Sequence, residues 1–175
     1  MKKLVELSMM CFVALSLCVL SCNPINHDDV KGVDIEDTGS YVDLELTSGT
    51  KWKSLNEIKS DDAKYDLFTF DEAVSEFGSN LPTKDDWEEL KTECVWTWNG
   101  SGYKVTGDNG NTILLPASGY RNCYGRFIYE GSGGFFWSST PNGLTYAWRL
   151  DFDSAYIRLH IGGCCNKGSV RLVQK

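Results

Sequence analysis

Two stretches near the C-terminus alternate with a period of two, and that period constrains the fold more than any other feature. Over 146–152, Tyr146, Trp148, Leu150 and Phe152 take every second position, opposite Ala147, Arg149 and Asp151. Over 156–161, Ile157, Leu159 and Ile161 oppose Tyr156, Arg158 and His160. Successive side chains of a strand point to opposite faces, so these stretches read as neighbouring strands with one apolar and one polar-aromatic face. The apolar face is expected to build core. The other is expected to meet solvent with Tyr156, Arg158, His160, Arg149 and Asp151, residue types that stack on ligands and hydrogen-bond to them.

The rest of the chain after Cys94 reads the same way. Residues 95–98 and 103–106 flank Asn99-Gly100-Ser101-Gly102 as a hairpin, and Asp108-Asn109-Gly110-Asn111 turns into a further strand over 112–115. Residues 131–134 read as a glycine-rich loop without the Gly-Lys-Ser/Thr ending of a phosphate loop, and a last strand is expected over 169–173. Upstream, residues 41–46 and 51–55 read as strands joined by Ser48-Gly49-Thr50, and the acidic stretch 56–66 as an exposed loop. Two helices lie between these halves. Thr69 and Glu72 make a capping box, with Gly78 as the stop. Thr83 caps a second helix whose Asp85, Asp86, Glu88 and Glu89 fall where the helix dipole favours carboxylates, so they need no catalytic explanation. Trp87, Leu90 and Cys94 share its apolar face. Strands, two helices, then strands define an α+β domain.

The first 40 residues do not fit that domain. Lys2 and Lys3 precede an apolar run over 9–20, too short to span a bilayer comfortably, and the run ends Val19-Leu20-Ser21-Cys22. This resembles a bacterial lipobox, which implies removal of residues 1–21 and lipidation of Cys22. Lipid chains then hold the protein on a membrane without a spanning helix. Residues 22–40 are polar and acidic and read as a flexible tether, leaving 41–175 as the folded domain.

Charge divides unevenly along the chain. Residues 22–80 carry 14 acidic and 5 basic side chains, whereas residues 119–175 carry 3 acidic and 7 basic. The sequence pI near 4.8 argues against a nucleic-acid partner, since phosphate contacts need clustered Lys and Arg. The C-terminal balance leaves an anionic glycan open. Export fits the cysteines: Cys94, Cys123, Cys164 and Cys165 remain in the domain and allow two disulfides in three connectivities. Cys164 and Cys165 are adjacent, so each is expected to pair elsewhere rather than with the other. Only His27 and His160 accompany them, at no zinc-ligand spacing, so neither a metal site nor a cofactor is expected.

A series of short motifs carries a family resemblance. In order they include Ser48-Gly49-Thr50-Lys51-Trp52, Leu81-Pro82-Thr83-Lys84, Trp87-Glu88-Glu89-Leu90, Trp96-Thr97-Trp98, Gly102-Tyr103-Lys104-Val105-Thr106-Gly107, Leu115-Pro116-Ala117, Gly119-Tyr120-Arg121, Phe136-Trp137-Ser138-Ser139-Thr140 and Gly168-Ser169-Val170-Arg171. Together they resemble the Fibrobacter succinogenes major paralogous domain family, common in surface lipoproteins of Bacteroidetes. The resemblance implies a C-type-lectin-like fold, shared with formylglycine-generating enzymes and with variable proteins of diversity-generating retroelements. In those variable relatives the region matching 156–166 carries diversified ligand contacts. Calcium-dependent sugar binding is not implied, because Thr140-Pro141-Asn142 lacks the glutamate of the lectin motif and Trp-Asn-Asp is absent. Oxidase activity is not implied either, because Cys164 and Cys165 do not map onto the active-site pair of the formylglycine enzymes.

Catalytic signatures are correspondingly thin. A serine triad would need His160 as base, and no G-x-S-x-G elbow accompanies it. A carboxylate pair such as Asp151 and Glu130 is the remaining route to a carbohydrate-active hydrolase. The expectation is therefore a non-enzymatic module, exported and lipid-anchored to the outer membrane, that meets the membrane only through Cys22. Its expected partner is an extracellular glycan, peptide or protein. The alternatives are a surface adhesin or structural subunit, and a retroelement-diversified variable protein.

Overall fold

The computed structural model describes residues 39–58 and 66–175, all within one compact unit. The lipobox with Cys22, the leader 1–21 and nearly all of the tether lie outside the described residues, as does the middle of the acidic stretch 56–66.

Local signals start both helices. In α1 (Phe70–Phe77), the Thr69 hydroxyl accepts from the Glu72 amide and the Glu72 carboxylate accepts from the Thr69 amide, closing the capping box. Gly78 ends the helix at φ 49°, and its amide donates to the Val74 carbonyl. In α2 (Lys84–Glu93), Thr83 and Asp86 make the same reciprocal pair, so the first acidic turn is a cap. Trp87 and Leu90 are fully buried on its inner face.

The strands form antiparallel groups. β1 (Tyr41–Asp43), β2 (Lys51–Lys53) and β11 (Val173–Gln174) make one sheet with β2 in the middle, so the two ends of the domain close on each other. β3 (Val95–Trp98), β4 (Gly102–Thr106) and β5 (Thr112–Pro116) make a second. β6 (Tyr120–Arg121) and β7 (Phe127–Ile128) form a small hairpin. β8 (Gly133–Pro141), β9 (Tyr146–Asp153) and β10 (Ile157–Gly163) form the main sheet, with β9 central. Mixed helices and strands of this kind make the domain α+β.

Trp52, Trp87, Val105, Leu115, Phe136, Leu150 and Phe152 pack into one core cluster. Phe68, Ala73, Leu81, Trp137, Ala147 and Val170 form a second on the opposite side of β8 and β9. That second cluster corrects the expected one-sided sheet. β9 is buried on both faces because α1, the β6–β7 region and the segment 168–172 cover its second face. Trp137 seals this layer: its indole donates to the Phe68 carbonyl at 2.8 Å, and its amide to the Ser169 carbonyl at 3.0 Å.

Three local expectations also change. The first strand stops at Asp43, because Glu45 takes φ 59° and its amide turns back onto the Asp43 carboxylate, which brings both Leu44 and Leu46 inside. Gly133 and Gly134 belong to β8 rather than to a loop. Gly134 is required by packing: a Cβ there would lie 2.0 Å from the Phe152 ring. Residues 169–172 make only a single parallel bridge, Ser169 to Phe136, and regular pairing resumes at Val173.

Candidate ligand-binding face

The β9–β10 register places the predicted residues in pairs, with Arg158 opposite Asp151 and His160 opposite Arg149. All four side chains therefore leave the sheet on the same side. They do not all reach solvent. Arg149 and Asp151 are 7% and 2% exposed, so the expectation that both meet solvent is corrected. The aromatic cover from β6 to β8 accounts for this: the Arg149 guanidinium lies 4.9 Å from the Phe135 ring, 5.2 Å from Tyr120 and 5.9 Å from Trp137. Tyr120 and Tyr129 in turn pack on Phe135.

Within this cover the two charges neutralise each other. Arg149 Nε lies 2.7 Å from Asp151 Oδ1, and Nη2 donates to Oδ2 at 3.2 Å. Burial holds the Asp151 carboxyl above its ordinary range, and the neighbouring Arg149 offsets only part of that rise. His160 Nδ1 stands 3.7 Å from Asp151 Oδ2 at the edge of the pair. Arg149 Nη1 is buried and has no hydrogen-bond partner among the described residues. Its guanidinium extends over β10 at Gly162, where a Cβ would come within 2.8 Å of Nη1. The missing side chain makes room for the arginine.

Tyr156, Arg158 and His160 are exposed. Arg158 lies over the Tyr156 ring at 4.5 Å. Burial, then the charge of Asp153, raises the Tyr156 phenol, while Arg158 opposes that rise. Asp153 itself is engaged by the turn between the strands, where its carboxylate accepts from the Ala155 and Tyr156 amides. The open face is thus a row along β10 flanked by a neutralised pair on β9 and by the exposed ring of Tyr129.

A disulfide fixes the border. Cys123, after β6, bonds to Cys165, after β10, with a Cα separation of 5.2 Å. Cys94 and Cys164 are free thiols, so the four cysteines make one bridge rather than two. Alongside the bridge, Arg121 and Lys167 exchange backbone hydrogen bonds at 2.9 and 2.8 Å.

A family model described as a domain of unknown function, DUF8237, matches residues 86–173. The chain belongs to that family. The DUF8237 segment runs from the cap of α2 to β11, and it contains the whole β8–β9–β10 sheet and the hairpin that covers it. Neither the curated proteins nor the solved structures yield a match to the chain.

Among the described residues no group of three or more His, Cys, Asp or Glu side chains is placed to hold a metal ion. No helix among them is long and apolar enough to cross a membrane. A separate cavity opens between Leu55, Leu114, Pro116, Ser118 and Arg171. Its arginine is structural, donating to the carbonyls of Lys53, Ser54 and Leu114 and to Asn56. Sequence reading missed the contributions of Tyr120, Tyr129 and Phe135 to the face. One signal was available: a Gly-Gly pair inside a strand, at 162–163, marks close approach by another group.

Proposed function

We propose that this chain is a non-enzymatic binding module, displayed at the outer-membrane surface on a lipid attached to Cys22, and that β10 carries its ligand contacts. The observation that carries this reading is the exposed row of Tyr156, Arg158 and His160 on a sheet rigidified alongside it. The buried Arg149–Asp151 pair, the aromatic cover and the Cys123–Cys165 bridge hold that row in place, which limits the entropy lost when a ligand docks. Order of elements and closure of β2 on β11 support the C-type-lectin-like fold that the motifs resemble. The ligand is an extracellular glycan, peptide or protein, held without a metal or cofactor and without nucleic acid.

The test compares the mature chain with a Tyr156→Ala/Arg158→Ala double variant on glycan arrays and in pull-downs from the native surface. Ligand retained by the wild type and lost by the variant supports the reading. Equal binding by both moves the site elsewhere. Release of product from a carbohydrate panel would replace it with a hydrolase.

A further inference from the structure

The charges on the β10 face are unequally satisfied. Asp151 is held by Arg149, and Asp153 by two backbone amides of its turn. Among the described residues Arg158 has no carboxylate within ion-pair distance; its guanidinium lies on the Tyr156 ring, which leaves the guanidinium edge open. Next along the strand stands the imidazole of His160. Beyond it, over Gly162, lies the Arg149 guanidinium, more than nine-tenths buried. Alternate residues of a strand are about 6.8 Å apart. Arg158 and His160 therefore follow one another along the edge strand, and Arg158 supplies the exposed positive charge of that row. The exposed Tyr129 ring, stacked on Phe135, supplies a flat apolar surface beside them.

Resting on the binding-module reading above, we infer that this face selects an acidic saccharide, a uronic-acid-type sugar whose carboxylate docks on Arg158 and whose ring lies against Tyr129. An arginine fork matches a carboxylate in two parallel hydrogen bonds. A ring with an apolar face and polar rim suits tyrosine, which presents an apolar body and a polar tip.

The test titrates the mature chain, by calorimetry at low and physiological salt, with oligogalacturonate, its methyl ester, a neutral galacto-oligosaccharide and polyglutamate. Oligogalacturonate is expected to bind at least tenfold tighter than its methyl ester, with affinity falling as salt rises. Arg158→Met is expected to lose at least tenfold while keeping the wild-type melting temperature, since its side chain is exposed, and Arg158→Lys to lose less. Equal binding of ester and acid overturns the inference and leaves the binding module standing. So does polyglutamate binding as tightly as the sugar, which makes the ligand an acidic peptide. Binding of none of the four overturns it as well, and the pull-down with the double variant then decides separately whether the face binds anything.

Discussion

Arg149 and Asp151 stand two residues apart on β9, on the same side of the strand, with Nε 2.7 Å from Oδ1 and both side chains closed off from water. An ion pair of this kind rarely adds net stability, because each charge has given up its hydration; removing one partner is what costs most. Here it lies directly beside the open row of β10, on the same face of the sheet, and shapes that row. Gly162 leaves space for the guanidinium, and His160 stands beside the carboxylate.

Arg149→Met is expected to destabilise the domain by about 3 kcal/mol at neutral pH, because Asp151 is then a buried charge without a counter-charge. The loss has a pH signature. Without Arg149 the folded-state value of Asp151 rises further above its ordinary 3.8. Stability linked to the protonated carboxyl is then fully present below about 3.8 and lost as pH rises through the folded value. Urea melts between pH 3 and 8 are expected to bring variant and wild type together at the acid end and separate them toward neutrality. Adding Asp151→Leu is expected to recover most of the loss.

The Cys123–Cys165 bridge closes a loop of 42 residues in sequence separation. Loop-closure entropy for that length corresponds to about 4 kcal/mol, with engineered and natural bridges usually delivering somewhat less. Denaturant midpoints with and without reductant are expected to differ accordingly. A Cys123→Ser/Cys165→Ser variant is expected to match the reduced wild type and respond no further to reductant.

Gly134→Ala is expected to cost about 3 kcal/mol by overpacking. Its new methyl meets the ring of Phe152, which is fully buried and has no room to turn away. Gly100→Ala, where nothing stands within 4 Å, separates this effect from ordinary glycine loss, because its penalty comes from φ 96° alone. Calorimetric melting temperatures of the two variants are the measurement.

Burial, with help from Asp108, Glu93 and Glu89, pushes the Cys94 thiol up to about 11 from an ordinary 9.0. The reactive species is the thiolate, so at pH 8 Cys94 is expected to alkylate on the order of a hundredfold more slowly folded than in urea. Peptide mapping after timed iodoacetamide treatment reads this directly. Comparable rates in both states would mean that the thiol is not held in the apolar setting beside α2.

Features decided within a few residues were legible in the sequence. Thr69 with Glu72, and Thr83 as the cap of the second helix, satisfy helix-end amides locally, and the 95–106 hairpin and the alternation of β9 and β10 follow from turn chemistry and the pleat. Those rules also put Arg149, Asp151, Arg158 and His160 on one side of the sheet, which is where they lie. Alternation states the side a residue faces and is silent on what covers that side. Tertiary structure decided that Arg149 and Asp151 are enclosed while Tyr156, Arg158 and His160 stay open. The cover comes from Tyr120, Phe135 and the 168–172 segment, brought together only when the chain closes. The same closure selected Cys165 over Cys164 as partner for Cys123 and drew Gly133 and Gly134 into β8. Backbone hydrogen bonds and side-chain direction are set by near neighbours. Burial and cross-linking depend on which distant segments fill the remaining space, and that is where the character of this face was determined.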